Sequence, residues 1–252
     1  MNQEERIKSI IEYLKLNQNI SMTDICKMYE VSYDTARRDL VKMESEGLIL
    51  RVRGGAILPS MTKHINSYKE RLTDAGSKRS IALSAVSLIK NGDYLMLDTG
   101  TTTQYIAEFM STQDNVVVTN SIDIAAILCD KPHTTTHMLG GELHAWHRYA
   151  FGPRTIEMLS DIRVDKLFLG TCGITTEGLF APTVEEAYMK REMIKRANQV
   201  ILLADSAKFE KNLFHRVCPF DDIDVLITDA EPPAPFNKIC SEYDIQVIVT
   251  SE

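Results

Sequence analysis

The chain has 252 residues, 44% of them hydrophobic and 25% charged, the composition of a globular protein with one large domain or a small one plus a larger one. No run of about 18 apolar residues occurs, and the charged start MNQEERIKSI lacks the pattern of a signal peptide; this excludes a membrane span and predicts a cytoplasmic protein. The net charge of -7 argues against a nucleic-acid binder until its distribution is read: residues 1 to 57 hold nine basic and nine acidic side chains, so the acidity lies in the remainder, and a local basic cluster in a neutral N-terminal module is compatible with DNA.

In chain order, Ile7, Ile10, Ile11 and Leu14 recur at helical spacing and predict an amphipathic helix over residues 4 to 17. Ser21 caps a short second helix with Ile25 and Met28 or Tyr29 inward, and Val31 closes the turn. Ser32 caps a third helix reaching about Glu46, with Ala36, Leu40 and Met43 on one face and Gly47 as its stop. The stretch LILRVRGGAIL then predicts a two-stranded hairpin turning at Gly54-Gly55, the shape of a wing. Polar residues dominate from 59 to 77, which is assigned as a linker with a helical portion around Tyr68 to Leu72.

From Lys78 onward, short apolar runs alternate with amphipathic stretches. The runs are YLMLD (94–98), NVVVTN (115–120), THMLGG (136–141), KLFLG (166–170), QVILLAD (199–205), DVLITD (224–229) and IQVIVT (245–250). Helices are predicted at 78–90, 102–111, 121–130, 184–197 and 235–243. Apolar runs without alternation fit parallel strands covered on both faces, so residues 78–252 read as a doubly wound, mostly parallel α/β domain following a small winged helix-turn-helix at 1–58. The five cysteines, Cys26, Cys129, Cys172, Cys218 and Cys240, are scattered and form no C-x-x-C pair. They are predicted to be small buried apolar residues rather than a disulfide or zinc framework.

Two regions carry chemistry. On the third helix, packing Ala36, Leu40 and Met43 inward leaves Tyr33, Thr35, Arg37 and Arg38 outward near its N-terminal end, the position of a recognition helix, with Ser32 at its cap. Arginine reads guanine or pairs with phosphate, and Arg51 and Arg53 on the hairpin would add contacts. In the second region, Asp98, Thr99, Gly100, Thr101, Thr102 and Thr103 join a strand to a helix, where amides and hydroxyls converge as a phosphate requires; a capped turn uses the same residues. Further candidates follow later strands, where open sheets bind ligands: Asn120, Gly140, Gly141, Glu142, Gly170, Asp205 and Lys208, with Glu185 beyond them. Lys208 is assigned to phosphate and the carboxylates and Asn120 to sugar hydroxyls. His144 and His147, flanking Trp146, have a metal-like spacing but no third ligand, so no metal is expected. Shaping the pocket, with Arg148 as an extra contact, is the preferred role.

Residues 6 to 56 resemble the N-terminal domain of DeoR-family regulators through Val31-Ser32, Thr35-Ala36-Arg37-Arg38-Asp39-Leu40 and Gly54-Gly55-Ala56. Ala36 and Arg53 stand where the family often has isoleucine and histidine. The resemblance continues through Lys78 with Ile81-Ala82, Asp98-x-Gly100-Thr101-Thr102, Thr119-Asn120, Gly140-Gly141, the 170–173 segment and Asp205-x-x-Lys208, a pattern similar to relatives of ribose-5-phosphate isomerase. It implies a transcriptional regulator, a repressor released from operator DNA by a phosphorylated sugar or sugar derivative, with no cofactor, acting as a homodimer or homotetramer. The competing reading is a phosphosugar isomerase with Asp98, Glu185 or Asp205 as the base.

Overall fold

The computed structural model describes residues 2–17, 19–46, 48–58 and 75–250, and the chain divides into two compact units, Met1–His64 and Ile65–Glu252. The N-terminal unit contains α1 (Gln3–Asn17), β1 (Asn19–Ser21), α2 (Met22–Tyr29), α3 (Tyr33–Ser45), β2 (Leu50–Val52) and β3 (Gly55–Ile57). Ile7, Ile10, Leu14, Ile25, Ala36, Leu40 and Met43 are buried together, as their helical spacing requires. Ser21 opens α2 with a full capping box, its hydroxyl accepting from the Asp24 amide while the Asp24 carboxylate accepts from the Ser21 amide. The turn into α3 runs through Glu30 in the left-handed region (φ 50°), and the Ser32 hydroxyl accepts from the Thr35 amide at 3.2 Å.

The three short strands form an antiparallel sheet in the order β1-β3-β2. The sequence pattern missed β1, whose three residues are too few to show a period. The hairpin turn also shifts by one residue. Val52 pairs with Gly55, so Arg53 and Gly54 form the loop and Gly55 begins β3. A Cβ at Gly55 would meet the Ile20 carbonyl oxygen at 2.0 Å, so glycine there permits β1 and β3 to approach. Gly47, residues 59 to 74 of the linker and the helical portion expected around Tyr68 to Leu72 lie outside the described residues.

The second unit begins with α4 (Ala75–Val86), three residues ahead of the expected start. All seven apolar runs become strands of one parallel sheet: β4 (Tyr94–Leu97), β5 (Asn115–Thr119), β6 (Thr134–Met138), β9 (Val164–Gly170), β12 (Ala197–Leu203), β14 (Val225–Thr228) and β15 (Gln246–Val249). Their order across the sheet is β15-β14-β12-β9-β4-β5-β6. Along β4, Leu95 and Leu97 face one apolar layer with Ile81 and Ile106, while Met96 faces the other with Met193 and Phe236. Burial on both faces is why these strands read as continuous apolar runs.

Helices α5 (Thr101–Phe109), α6 (Ile122–Leu128), α8 (Val184–Lys195) and α9 (Ala234–Glu242) correspond to the expected stretches, and α7 (Pro153–Ser160) was not expected. Two antiparallel elements were likewise missed, the hairpin β7 (Glu142–His144) and β8 (Tyr149–Phe151), and a small sheet of β10 (Gly173–Thr175), β11 (Gly178–Ala181) and β13 (His215–Cys218). The cysteine expectation needs correction. Cys172, Cys218 and Cys240 are buried, whereas Cys129 is exposed and Cys26 half-buried; Cys129 is the C-cap of α6, outside its packed face.

Candidate functional site

In the N-terminal unit, packing of α3 through Ala36, Leu40 and Met43 leaves Tyr33, Arg37 and Arg38 exposed. A concave face of Asp34, Arg37, Arg38, Val41, Lys42 and Ser45 runs along the helix, and a second, of Tyr33, Arg37, Arg51, Val52 and Gly54 among others, lies between helix and hairpin. Arg37 borders both. Arg51 leans on Glu44 at 3.4 Å, Arg53 is at the hairpin tip, and Ser32 and Thr35 bond to each other at 3.0 Å as parts of the cap. Asp39 on the same helix is wholly buried and anchors it: the Arg6 Nε donates to Asp39 Oδ2 at 2.5 Å and the Gln3 amide to Oδ1 at 2.9 Å. This anchor was not anticipated from the sequence.

In the second unit the chain builds β4, β5 and β6 to one side and then returns to place β9 on the other side of β4. That reversal opens a crevice at the C-terminal ends of β4 and β9, the usual binding place in an open α/β sheet. Asp98 follows β4 and Gly170 ends β9, and the Gly170 amide donates to Asp98 Oδ2 at 3.0 Å across the crevice. Two lobes share Thr99, Cys172, Glu186 and Lys190. One lobe is lined by Thr99 to Thr103 at the start of α5, Lys78, Gly170, Thr171, Asp205 and Lys208. The other is lined by Asp98, Asn120, His147, Tyr149 and Met189. They enclose about 470 and 390 Å³, the scale of small-molecule sites.

The lobes differ in chemistry. The first gathers helix N-terminal amides, four threonine side chains and two lysines beyond the shared residues, a donor-rich surface suited to an anion. Lys208 Nζ lies 3.8 Å from Asp205 Oδ2, a loose pairing. The second lobe centres on Lys190, buried at 4% exposure. Its ammonium bridges to Asp98, donates to the Gly170 carbonyl at 3.0 Å, and lies 3.9 Å from Glu186. Burial opposes the charge on Lys190, but the Asp98 and Glu186 carboxylates outweigh it and hold its pKa above the ordinary lysine value. Burial also raises the Tyr149 phenol, with Glu186, Asp98 and Glu185 adding to the shift. The thiol of Cys172 donates to Glu186 Oε1 at 3.3 Å, and Asn120 accepts from the Thr99 hydroxyl at 2.9 Å.

The structure therefore brings together Asp98, Thr99, Gly100, Thr101, Thr102, Thr103, Asn120, Gly170, Asp205 and Lys208. Five expected residues do not converge with them. Gly140 and Gly141 serve packing: the Gly140 carbonyl accepts from Thr155 at 2.8 Å, and Gly141, at φ 155°, would place a Cβ 2.4 Å from the Phe151 carbonyl oxygen. Glu142 is exposed at the start of β7. Arg148 turns to Asp123, its Nη2 and Oδ1 2.6 Å apart. Glu185 lines an apolar groove with Val184 and Tyr188, while its neighbour Glu186 faces the crevice.

Lys190, Glu186, Cys172 and Tyr149 were absent from the expected set, and Lys78 entered only through the family resemblance. His147 does reach the second lobe, carried by the β7–β8 hairpin, and it stacks on His144 at 4.9 Å. Among the described residues no group of three or more His, Cys, Asp or Glu side chains has a metal-binding arrangement, and no helix is long and apolar enough to cross a membrane.

Residues 6–62 match the DeoR-like helix-turn-helix domain and residues 73–230 the DeoR C terminal sensor domain; the chain belongs to the DeoR family of transcription regulators. It is 41% identical to the HTH-type transcriptional repressor GlcR of Bacillus subtilis (strain 168), over 100% of this chain and 98% of that protein. It is 31% identical to the glycerol-3-phosphate regulon repressor of Escherichia coli (strain K12), over 98% and 99% of the two chains. Among solved structures, ribose 5-phosphate isomerase A from Methanocaldococcus jannaschii matches with a TM-score of 0.38 and 18% identity, covering 53% of this chain and 54% of that one.

Proposed function

We propose that this protein represses sugar-metabolism genes in the cytoplasm and that a phosphorylated sugar, bound in the crevice beside Asp98, relieves the repression. The observation that carries the reading is the pairing of two unlike lobes in one pocket: threonine hydroxyls, helix amides and lysines for a phosphate, next to carboxylates, an amide and a phenol for hydroxyls. Arg37 and Arg38, with Tyr33, Arg51 and Arg53, form the surface offered to the DNA major groove and its flanking phosphates, while Ser32 and Thr35 hold the N-terminal end of α3 in shape.

In this reading residues 1–58 read DNA, 59–77 connect, and 78–252 sense the ligand, with α4 opening the sensor slightly early at Ala75. Symmetric operators require paired copies, so the protein acts as a homodimer or homotetramer. The mechanism is linkage: the sugar phosphate binds better to an arrangement with low operator affinity, with a coupling of about 1–3 kcal/mol.

The test is a thermal-shift series of matched sugars and sugar phosphates, followed by operator binding with each compound that shifts. A phosphate at about 100 times its dissociation constant adds roughly 2.7 kcal/mol of native stability, and its parent sugar should add far less. A phosphate that stabilises the protein without weakening operator binding would refute the relief mechanism. Absence of any shift across a broad panel would refute the pocket assignment.

A further inference from the structure

The carboxylate-rich lobe has a charge pattern that restricts what can occupy it. Its titratable groups are Asp98, Glu186, Lys190, Cys172, His147 and Tyr149. One ammonium stands between two carboxylates, and its donors are engaged by the protein: Lys190 bridges to Asp98, donates to the Gly170 carbonyl and leans toward Glu186. No hydrogen bond of Asp98 Oδ2 is left for a ligand either, since it already accepts from Lys190 and from the Gly170 amide. Glu186 is held more loosely, by the weak Cys172 thiol at 3.3 Å and the ammonium at 3.9 Å. A partly buried carboxylate with so few strong donors favours a hydroxyl or an ammonium on the ligand and opposes a second anion. Tyr149 senses the same field, because Glu186, Asp98 and Glu185 all disfavour its ionised form.

We infer that Glu186, backed by the Asp98–Lys190 pair, is a specificity residue that limits the effector to monophosphates whose far end is neutral or cationic, meaning aldose, ketose or amino-sugar phosphates, and rejects phosphorylated sugar acids and bisphosphates. The inference rests on the assignment of the threonine lobe to phosphate. It makes selectivity the work of repulsion as well as attraction: the phosphate lobe recruits any phosphomonoester of the right length, and the carboxylate lobe discards those carrying charge at the other end.

The experiment compares pairs that differ only in that end, on the full-length protein at about pH 8, where an ordinary imidazole is neutral. Suitable pairs are glucose 6-phosphate with 6-phosphogluconate, galactose 6-phosphate with its aldonic acid, and ribose 5-phosphate with 5-phosphoribonate; glucosamine 6-phosphate and fructose 1,6-bisphosphate complete the set. The neutral or amino member of at least one pair should bind about tenfold or more tightly than its acid. Glu186→Gln, which keeps the shape and removes the charge, should narrow that ratio mainly by improving the acid. Equal binding of sugar and acid by the unaltered protein would overturn the inference while leaving the phosphate site intact. So would a Glu186→Gln variant that loses affinity equally for every compound. Failure of all the phosphates, neutral ones included, would overturn the phosphate assignment and the inference with it. The wild-type comparison needs no variant, so a Glu186→Gln protein that folds poorly does not protect the idea.

Discussion

Truncating Arg6 to alanine should disable the DNA-reading unit without touching the effector pocket. The bridge between Arg6 and Asp39 joins α1 to α3, with side-chain exposures of 8% and 0%. It therefore belongs with buried ion pairs, whose disruption from one side costs about 3–5 kcal/mol, rather than with surface pairs worth less than about 1. Three hydrogen bonds converge on the Asp39 carboxylate, two from Arg6 at 2.5 and 3.2 Å and one from Gln3 at 2.9 Å. Arg6→Ala leaves only the last, and a buried anion with one neutral donor. A unit of this size has a total stability of about 3–9 kcal/mol at typical values per residue, so the loss consumes much or all of it.

The assay is two-probe denaturation of the full chain, together with operator binding and ligand-induced thermal shift. The N-terminal transition should fall well below the C-terminal one and operator affinity should collapse, while the ligand shift is retained. Replacing both partners with apolar residues, Arg6→Met with Asp39→Leu, should recover much of the stability, because the penalty lies in the unpaired charge. An Arg6→Ala protein that keeps its N-terminal transition within about 1 kcal/mol of the parent would refute this account of what holds α3 in place.

Three further outcomes follow from the same structure. Arg38→Ala, at an exposed position on α3, should weaken operator binding by about 1–3 kcal/mol if Arg38 reads a base, or lower the salt dependence by about one counterion if it pairs with phosphate; unchanged affinity at all salt concentrations removes it from the interface. Gly141→Ala should destabilise the sensor unit by more than about 1 kcal/mol, lowering its melting point by roughly 2–4 °C per kcal/mol, yet leave the ranking of ligands unchanged; an altered ranking would return Gly141 to the binding site. The Ser21 hydroxyl and amide hold the Asp24 carboxyl below its usual range, so its contribution to the N-terminal unit is fully present above about pH 4 and is lost as pH falls through the depressed value. Asp24→Asn should flatten that part of the acid-denaturation curve, and an unchanged curve would show the cap to be energetically silent.

What the sequence revealed and what it hid have physical reasons. Each of the seven sheet strands is apolar on both faces, as with Leu95, Met96 and Leu97, and a run of that kind is visible without alignment or structure. The missed strands β7, β10 and β13 are three or four residues long, too short for a period of two to stand out from loop composition. The start of α7 is a Gly-Pro pair that reads equally as a turn. At the site, residues following a strand were legible because the topology of open sheets places ligands there. Lys190 was hidden because a lysine inside MKREMIK looks like a solvated helix face, and only the fold reveals that Lys190 and Glu192 are buried. Glu185 and Glu186 differ by one step of about 100° around α8, a phase that Thr183 as N-cap does not fix by itself. Arg148 was drawn toward the pocket by proximity in sequence, whereas its bidentate match to Asp123 takes it elsewhere.

The strand order carries a consequence for how the sensor is made. Synthesis delivers β4 first, then β5 and β6 extend the sheet on one flank, and β9, β12, β14 and β15 join the other flank in the order in which they leave the ribosome. Every arriving strand finds an existing edge, and none has to be inserted between partners already paired. The ligand crevice is complete once Asp205 and Lys208 have emerged behind β12, while the last two strands are still to come. A nascent chain thus assembles its recognition chemistry before its border, and C-terminal deletions ending after β14 should cost rigidity before they cost the ability to recognise an effector.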